Sequence, residues 1–149
     1  MSELRKVNPH PNNPKGSIVF LHGLNLLGNK EHYKQTWEYI DTSGKEVFWP
    51  SILAEEAPTL QVYLADYPAD ATEWTGDAWG IIDRGVELAS QMIAEGIDRK
   101  PFVFIAHSLG GLLAKQIMRL SLDDRNGSFG GIFNQCKGLV FFATPHTRL

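Results

Sequence analysis

Short apolar blocks alternate along this chain with stretches whose apolar residues recur at helical spacing. Ser17 to Leu21 (SIVFL), Leu60 to Ala65 (LQVYLA), Pro101 to Ala106 (PFVFIA) and Lys137 to Ala143 (KGLVFFA) are brief runs of β-branched, aromatic and aliphatic residues. Runs of that length, without strict alternation, predict strands covered on both faces. Ala78, Ile81, Ile82, Gly85, Val86, Ala89, Met92 and Ile93 recur every three or four residues, which predicts a helix with one apolar face ending near Gly96. Leu109 to Leu122 predicts a second helix directly behind the third strand. Shorter helices are expected around Lys30 to Tyr39 and over Trp49 to Glu56, where Pro50 suits a first turn. Residues 1–16, polar and rich in Pro and Asn, read as an extended lead-in, and Asp123 to Gln135 reads as a loop.

Strands alternating with helices imply a mostly parallel sheet with helices on both faces, a three-layer α/β arrangement over residues 17–149. In such a sheet the C-terminal strand ends share one edge, where ligands bind. His22-Gly23, His107-Ser108 and Thr144-Pro145-His146 each follow a predicted strand and therefore meet there.

Composition narrows the function classes. The chain has 149 residues, 43% hydrophobic and 21% charged, with a net charge of -3, which suits one globular domain and offers no electrostatic pull toward nucleic acid. A single cysteine, Cys136, excludes an internal disulfide framework and fits a reducing compartment. The N-terminal stretch lacks the apolar core of a signal peptide, and no apolar run is long enough to span a membrane. A cytoplasmic location and no integral membrane segment are the expectations.

The segment Ile105-Ala106-His107-Ser108-Leu109-Gly110-Gly111 carries the chemistry. A strand turning sharply into a helix needs small residues two before and two after the bend, and it presents a serine there as a nucleophile elbow. Ala106 fills the first small position in place of glycine, Gly110 fills the second, and Gly111 is expected to let the helix pack closely on the sheet. Ser108 is the candidate nucleophile, at a helix N-terminus that favours negative charge. A plain serine N-cap is the alternative, and the flanking strand and helix argue against it. An acyl-transfer enzyme also needs two N–H donors for its oxyanion. Leu109, after the nucleophile, and Leu24, or Gly23, after the first strand are the expected donors. His22, Gly23, His107, Gly110 and His146 are expected to line the site.

The motifs IVFLHGL, FIAHSLGGLLAKQIM and LVFFATPH together resemble the lipase-like α/β-hydrolases of the serine-active-site-containing protein group, near the esterases acting on glycosylphosphatidylinositol lipids. The resemblance runs from residue 17 to 146. It implies an α/β-hydrolase fold, Ser108 as nucleophile, and an oxyanion hole from the loop at Leu24 and the Leu109 N–H. It also implies hydrolysis or transfer of an acyl ester, with lipid substrates typical and no cofactor needed. Such domains also occur at the N-terminus of larger signalling or defence proteins, so further domains are possible partners within a longer polypeptide.

The chain departs from the group in one respect. The full fold places a catalytic acid and then a histidine on strands after the one ending near Ala143, and the sequence ends at Leu149. The expected domain is thus the nucleophile half, with an apolar sheet edge at Lys137–Ala143. Asp123 and Asp124 precede that strand, and Asp66, Asp83 and Asp98 precede the serine, so none fits the order. His146 as a direct base is disfavoured for the same reason; shaping the pocket or buttressing the nucleophile loop is its expected role. The competing function is a non-catalytic interaction module in which Ser108 caps a helix. A nucleotide site fails, because Gly23 and Gly28 have phosphate-loop spacing but Asn29 replaces the lysine. A metal at His22, His107 and His146 lacks paired ligand spacing. Trp37, Trp49, Trp74 and Trp79 read as packing residues, and the 123–135 loop as a mobile segment of the kind that forms lids.

Overall fold

The protein is described from a computed structural model, which covers residues 2–8, 12–25, 28–69 and 79–146. Trp74 and Ala78 lie outside the described residues, and only the backbone of Trp79 falls within them. A five-stranded sheet organises the chain. Its members are β1 (Glu3–Lys6), β2 (Gly16–Leu21), β5 (Leu60–Asp66), β6 (Phe102–His107) and β7 (Cys136–Phe142), in the spatial order β1-β5-β2-β6-β7. All neighbours pair in parallel except β1, which runs antiparallel to β5. The mostly parallel sheet with flanking helices is an α/β fold.

Alternation along the strands sorts the core into two layers. Val19, Leu21, Tyr63, Ala65, Phe102, Phe104 and Ala106 face one side and pack on α3 (Trp79–Ala94), α4 (Gly110–Asp123) and Ile132 of α5 (Gly130–Gln135). Ile18, Phe20, Val62, Leu64 and Ile105 face the other side, with Trp37 and with Ala54 of α2 (Trp49–Glu56). The central strand β2 is buried along its whole length, as a run apolar on both faces requires.

Four sequence expectations change. The lead-in contributes β1: Leu4 alone turns inward, and Arg5 bonds Asp66 across the pair at 3.0 Å. One buried residue in a four-residue edge strand leaves no apolar run to read. Of Lys30–Tyr39, only His32–Gln35 (α1) is helical, because Glu38–Ile40 (β3) instead pairs with Glu46–Phe48 (β4) as a hairpin. Its turn is held by Asp41, whose carboxylate accepts from the Ser43 and Lys45 N–H groups, with Gly44 at φ 84°. The expected loop at 123–135 contains α5, which covers the sheet with Ile132 fully buried. Finally, the apolar face of α3 is rotated. Leu88, Ala89 and Met92 fill the core, whereas Ile82 and Val86 are 37% and 40% exposed.

Strand order fixes where a ligand can sit. The loop after β2 leads to β5 on one side, and the chain after β6 leads to β7 on the other. The C-terminal ends of β2 and β6 are therefore the point at which the connections diverge, the place where open α/β sheets hold their ligands.

Candidate functional site around Ser108

Ser108 sits at that divergence point with φ 54°, a left-handed conformation that L-residues adopt at a cost of about 1–2 kcal/mol. Its N–H donates to the Phe142 carbonyl at 2.8 Å, tying the bend to β7. Its carbonyl accepts from the Gly111 N–H at 3.0 Å, closing the first tight turn into α4. The strand cannot continue and the helix cannot begin earlier, so the side chain is held at the sheet edge. Ala106, two residues back, is fully buried between neighbouring strands and leaves no room for a larger side chain.

Three glycines allow close packing around the bend, each against a different neighbour. A Cβ on Gly110 would stand 2.5 Å from the carbonyl oxygens of Leu21 and His22, so the helix start approaches the end of β2 only because residue 110 has no side chain. A Cβ on Gly111 would collide with the Thr144 side chain, which packs over the first turn of α4. Gly111 thus serves packing by the loop after β7. A Cβ on Gly23 would lie 2.8 Å from Ser108 Cβ and 3.1 Å from the His107 carbonyl oxygen. The loop after β2 and the serine bend are in direct contact.

Backbone donors are available beside the serine. The Leu109 N–H precedes the first residue of α4, and no hydrogen bond engages it among the described residues. The same holds for Leu24, whereas the next residue, Asn25, donates to the Ala69 carbonyl at 2.9 Å. Two donors without a partner among the described residues thus stand next to Gly23 and Ser108 in the chain.

The histidines separate into different roles. His22 is 1% exposed, stacked on Tyr67 at 3.9 Å between ring centroids and 13° between planes. Its Nδ1 donates to the Gly23 carbonyl at 2.9 Å, so Nε2 carries the lone pair, and that atom is buried without a partner among the described residues. The Tyr67 hydroxyl donates to the His22 carbonyl. Burial, reinforced by nearby His32 and His107 and opposed by the Gly23 hydrogen bond, pushes the His22 pKa down to about 4. Burial likewise lowers that of His32, whose ring meets His22 edge-on at 5.0 Å. His22 is a neutral prop beneath the loop. His107 turns its half-buried ring toward Trp37, at 6.4 Å. His146 meets Lys115, with its Nδ1 2.7 Å from the ammonium, and packs edge-on against Phe141 at 4.8 Å. That nitrogen accepts from the ammonium, so its lone pair is engaged there.

No histidine hydrogen-bonds Ser108 Oγ among the described residues. The aspartates are equally remote in role. Asp66 pairs with Arg5, and Asp124 accepts from the Phe129 N–H at the far end of α4, about 20 Å along the helix from Ser108. Among the described residues no group of histidine, cysteine and carboxylate side chains is arranged to hold a metal, and no helix is long and apolar enough to cross a membrane. The Cys136 thiol is half-buried, and burial raises its pKa.

Two cavities lie at this sheet edge, one to each side in strand order, and Ser108 itself lines neither. On the β5 side, about 200 Å³ is lined by His22, Asn29, Lys30, His32, Tyr33 and Asp66, among others. On the β7 side, about 250 Å³ is lined by Thr36, Trp37, Trp49, His107 and Phe142. Sequence reasoning read Trp37 and Trp49 as packing residues. They are packed, but they also form this second wall, which the missed hairpin and α1 bring over the sheet edge.

No protein-family model matches the chain. It is 26% identical over 144 residues to Protein SERAC1 of Mus musculus and to Protein SERAC1 of Homo sapiens. Protein SERAC1 of Danio rerio is 26% identical over 146 residues. Each alignment covers 89% of this chain, which spans only 22% of the length of those relatives. The chain is thus similar, at low identity, to one region of these longer proteins.

Proposed function

We propose that the protein is the nucleophile half of an α/β-hydrolase domain, a serine esterase of lipase-like type acting through a Ser108 acyl-enzyme. The left-handed Ser108 at the turn from β6 into α4 is the observation that carries this reading, because a serine strained at a strand-to-helix bend has the geometry of a nucleophile elbow. The Gly23 contact and the Leu24 and Leu109 N–H groups, without a partner among the described residues, support it.

In this mechanism Ser108 Oγ attacks the ester carbonyl carbon while a base takes its proton. The carbonyl oxygen becomes an oxyanion bound by the Leu24 and Leu109 N–H groups. The C–O bond to the alcohol then breaks, and the alcohol leaves with the proton, so Ser108 carries the acyl group. Water, deprotonated by the same base, releases the acid and restores the serine. The base and its acid partner come from polypeptide beyond residue 149, as the group's chain order implies. The resemblance to lipase-like enzymes makes a lipid ester the expected substrate.

A second reading, a non-catalytic interaction module on the same fold, is favoured by the lack of any base against Ser108 Oγ among the described residues. Hydrolysis of p-nitrophenyl butyrate by a polypeptide continuing past Leu149 separates the two. The enzyme reading expects turnover that Ser108→Ala reduces by about a thousandfold or more. Equal rates for the folded wild type and the variant would establish the module instead.

A further inference from the structure

The two cavities beside Ser108 differ in chemistry, and their placement is set by strand order. The cavity at the ends of β5 and β2 has walls of Asn29, Lys30, His32, Tyr33 and Asp66. Each of these five offers a hydrogen bond or a charge, beside the apolar Pro68 and Ala69. The cavity at the ends of β6 and β7 has walls of Trp37, Trp49 and Phe142, with Thr36 and His107 completing it. Its rings meet edge-on, Trp37 with Trp49 at 5.8 Å and Trp49 with Phe142 at 6.1 Å, which makes a stable aromatic lining. Phe142 is 46% exposed, although its carbonyl holds the Ser108 N–H. The apolar wall is therefore contiguous with the nucleophile's backbone. Helix α1 bridges the two: His32 and Tyr33 stand on the polar side, and Thr36, just past its end, on the aromatic side.

We propose that the site holds an amphiphilic ester across the sheet edge, its hydrocarbon acyl portion in the Trp37–Trp49–Phe142 cavity and its hydroxylated alcohol portion in the Asn29–Tyr33–Asp66 cavity. The scissile carbonyl then lies over the Gly23–Ser108 contact between them. This rests on the proposal that Ser108 attacks an ester, and it adds the substrate's orientation and the residues that select each half. The assignment follows from the ester itself. An acyl chain has no hydroxyl to pair with Asn29 or Tyr33, and leaving those groups desolvated without partners would oppose binding. A polyol offers donors and acceptors to the polar walls and nothing to the aromatic ones. The volumes, about 200 and 250 Å³, suit a short headgroup and a short or medium chain.

The test uses 1-O-hexylglycerol, an ether that cannot be hydrolysed, with 1-hexanol as the probe lacking the diol. Binding to the wild-type chain is followed by calorimetry and tryptophan fluorescence, and needs no catalytic base. The expected result is saturable binding of the ether, weakened about fivefold or more by Asn29→Ala/Tyr33→Phe, a variant that leaves hexanol binding unchanged. Phe142→Ser, at an exposed side chain, weakens both probes by about fivefold or more. No saturable binding by the folded chain overturns the proposal. So does a polar double variant that affects hexanol and the ether equally, or a Phe142 variant that affects neither. Failure here leaves Ser108 reactivity untouched, and failure of Ser108 to react leaves this binding pattern measurable, so the two proposals fall separately.

Discussion

Gly23 and Ser108 touch across the gap between β2 and β6, so closely that a Cβ on residue 23 would stand 2.8 Å from Ser108 Cβ. Neither partner can yield easily. Ser108 is fixed by its Phe142 and Gly111 hydrogen bonds, and Gly23 by the His22 imidazole bonded to its carbonyl. The contact joins a donor-bearing loop to a strained serine, and the first prediction follows from it.

Gly23→Ala forces the loop and the bend apart. Thermal and urea denaturation should show a loss of about 1–3 kcal/mol, the usual cost of overpacking. Any reactivity of Ser108 should fall more steeply than stability does, because the Leu24 N–H moves with the loop. A variant as stable and as reactive as wild type would show that the gap is looser than these distances indicate.

The strain at Ser108 is itself measurable. Glycine adopts φ 54° without penalty, and alanine does not. Ser108→Gly should therefore be more stable than Ser108→Ala by about 1 kcal/mol in urea denaturation, despite the greater flexibility of its unfolded chain. Equal stabilities, or the reverse order, would mean that the bend relaxes when the hydroxyl is gone.

His22 should make stability depend on pH in a window above the carboxylate range. Its pKa is about 4 when folded, against 6.5 for the ordinary group. Between those values the unfolded chain takes up a proton that the folded chain refuses, so stability falls as pH drops from 6.5 toward 4. The full contribution is on the order of 3 kcal/mol. His32 shifts in the same direction and adds to the slope. In His22→Asn, the fall in urea midpoint between pH 6.5 and 5 should shrink markedly. A slope unchanged by the substitution would place the titration elsewhere.

The open edge of β7 predicts self-association. Leu139, Val140 and Phe142 are 36%, 44% and 46% exposed on a strand that, among the described residues, pairs only with β6. Unpaired edges with apolar side chains recruit other chains, and a charge on such an edge blocks this. Val140→Lys should reduce the concentration-dependent association seen by sedimentation velocity without lowering the unfolding midpoint. Association unaffected by that lysine would assign it to another surface.

The sequence made the parallel strands legible because residues buried on two faces must be apolar throughout, as Ser17–Leu21 and Pro101–Ala106 are. The bend at Ser108 was legible because the backbone at the end of β2 leaves only glycine at 110, the Thr144 side chain leaves only glycine at 111, and full burial keeps residue 106 small. Elements with weak burial escaped. β1 buries only Leu4, and β3 has no buried residue, so neither writes an apolar run. The hairpin did leave a signal in Asp41-Thr42-Ser43-Gly44, whose side-chain and left-handed turn chemistry outweighed the helical tendency of the residues before it. The two cavities were not legible, because each draws residues from four or more separate elements and connecting loops. The lone pairs of His22 and His146 likewise depend on neighbours, Gly23 and Lys115, that spacing alone does not choose.

Reactivity of Ser108 toward a fluorophosphonate is the most direct test of the central claim. The 149-residue chain would be treated with the probe, with and without imidazole as an external base, and the adduct located by mass spectrometry in wild type and Ser108→Ala. The account predicts an adduct on Ser108 that increases with imidazole and vanishes in the variant, because the strained serine and its flanking N–H groups are already in place. A folded chain that shows no adduct even with imidazole, or one labelled equally in Ser108→Ala, would contradict it.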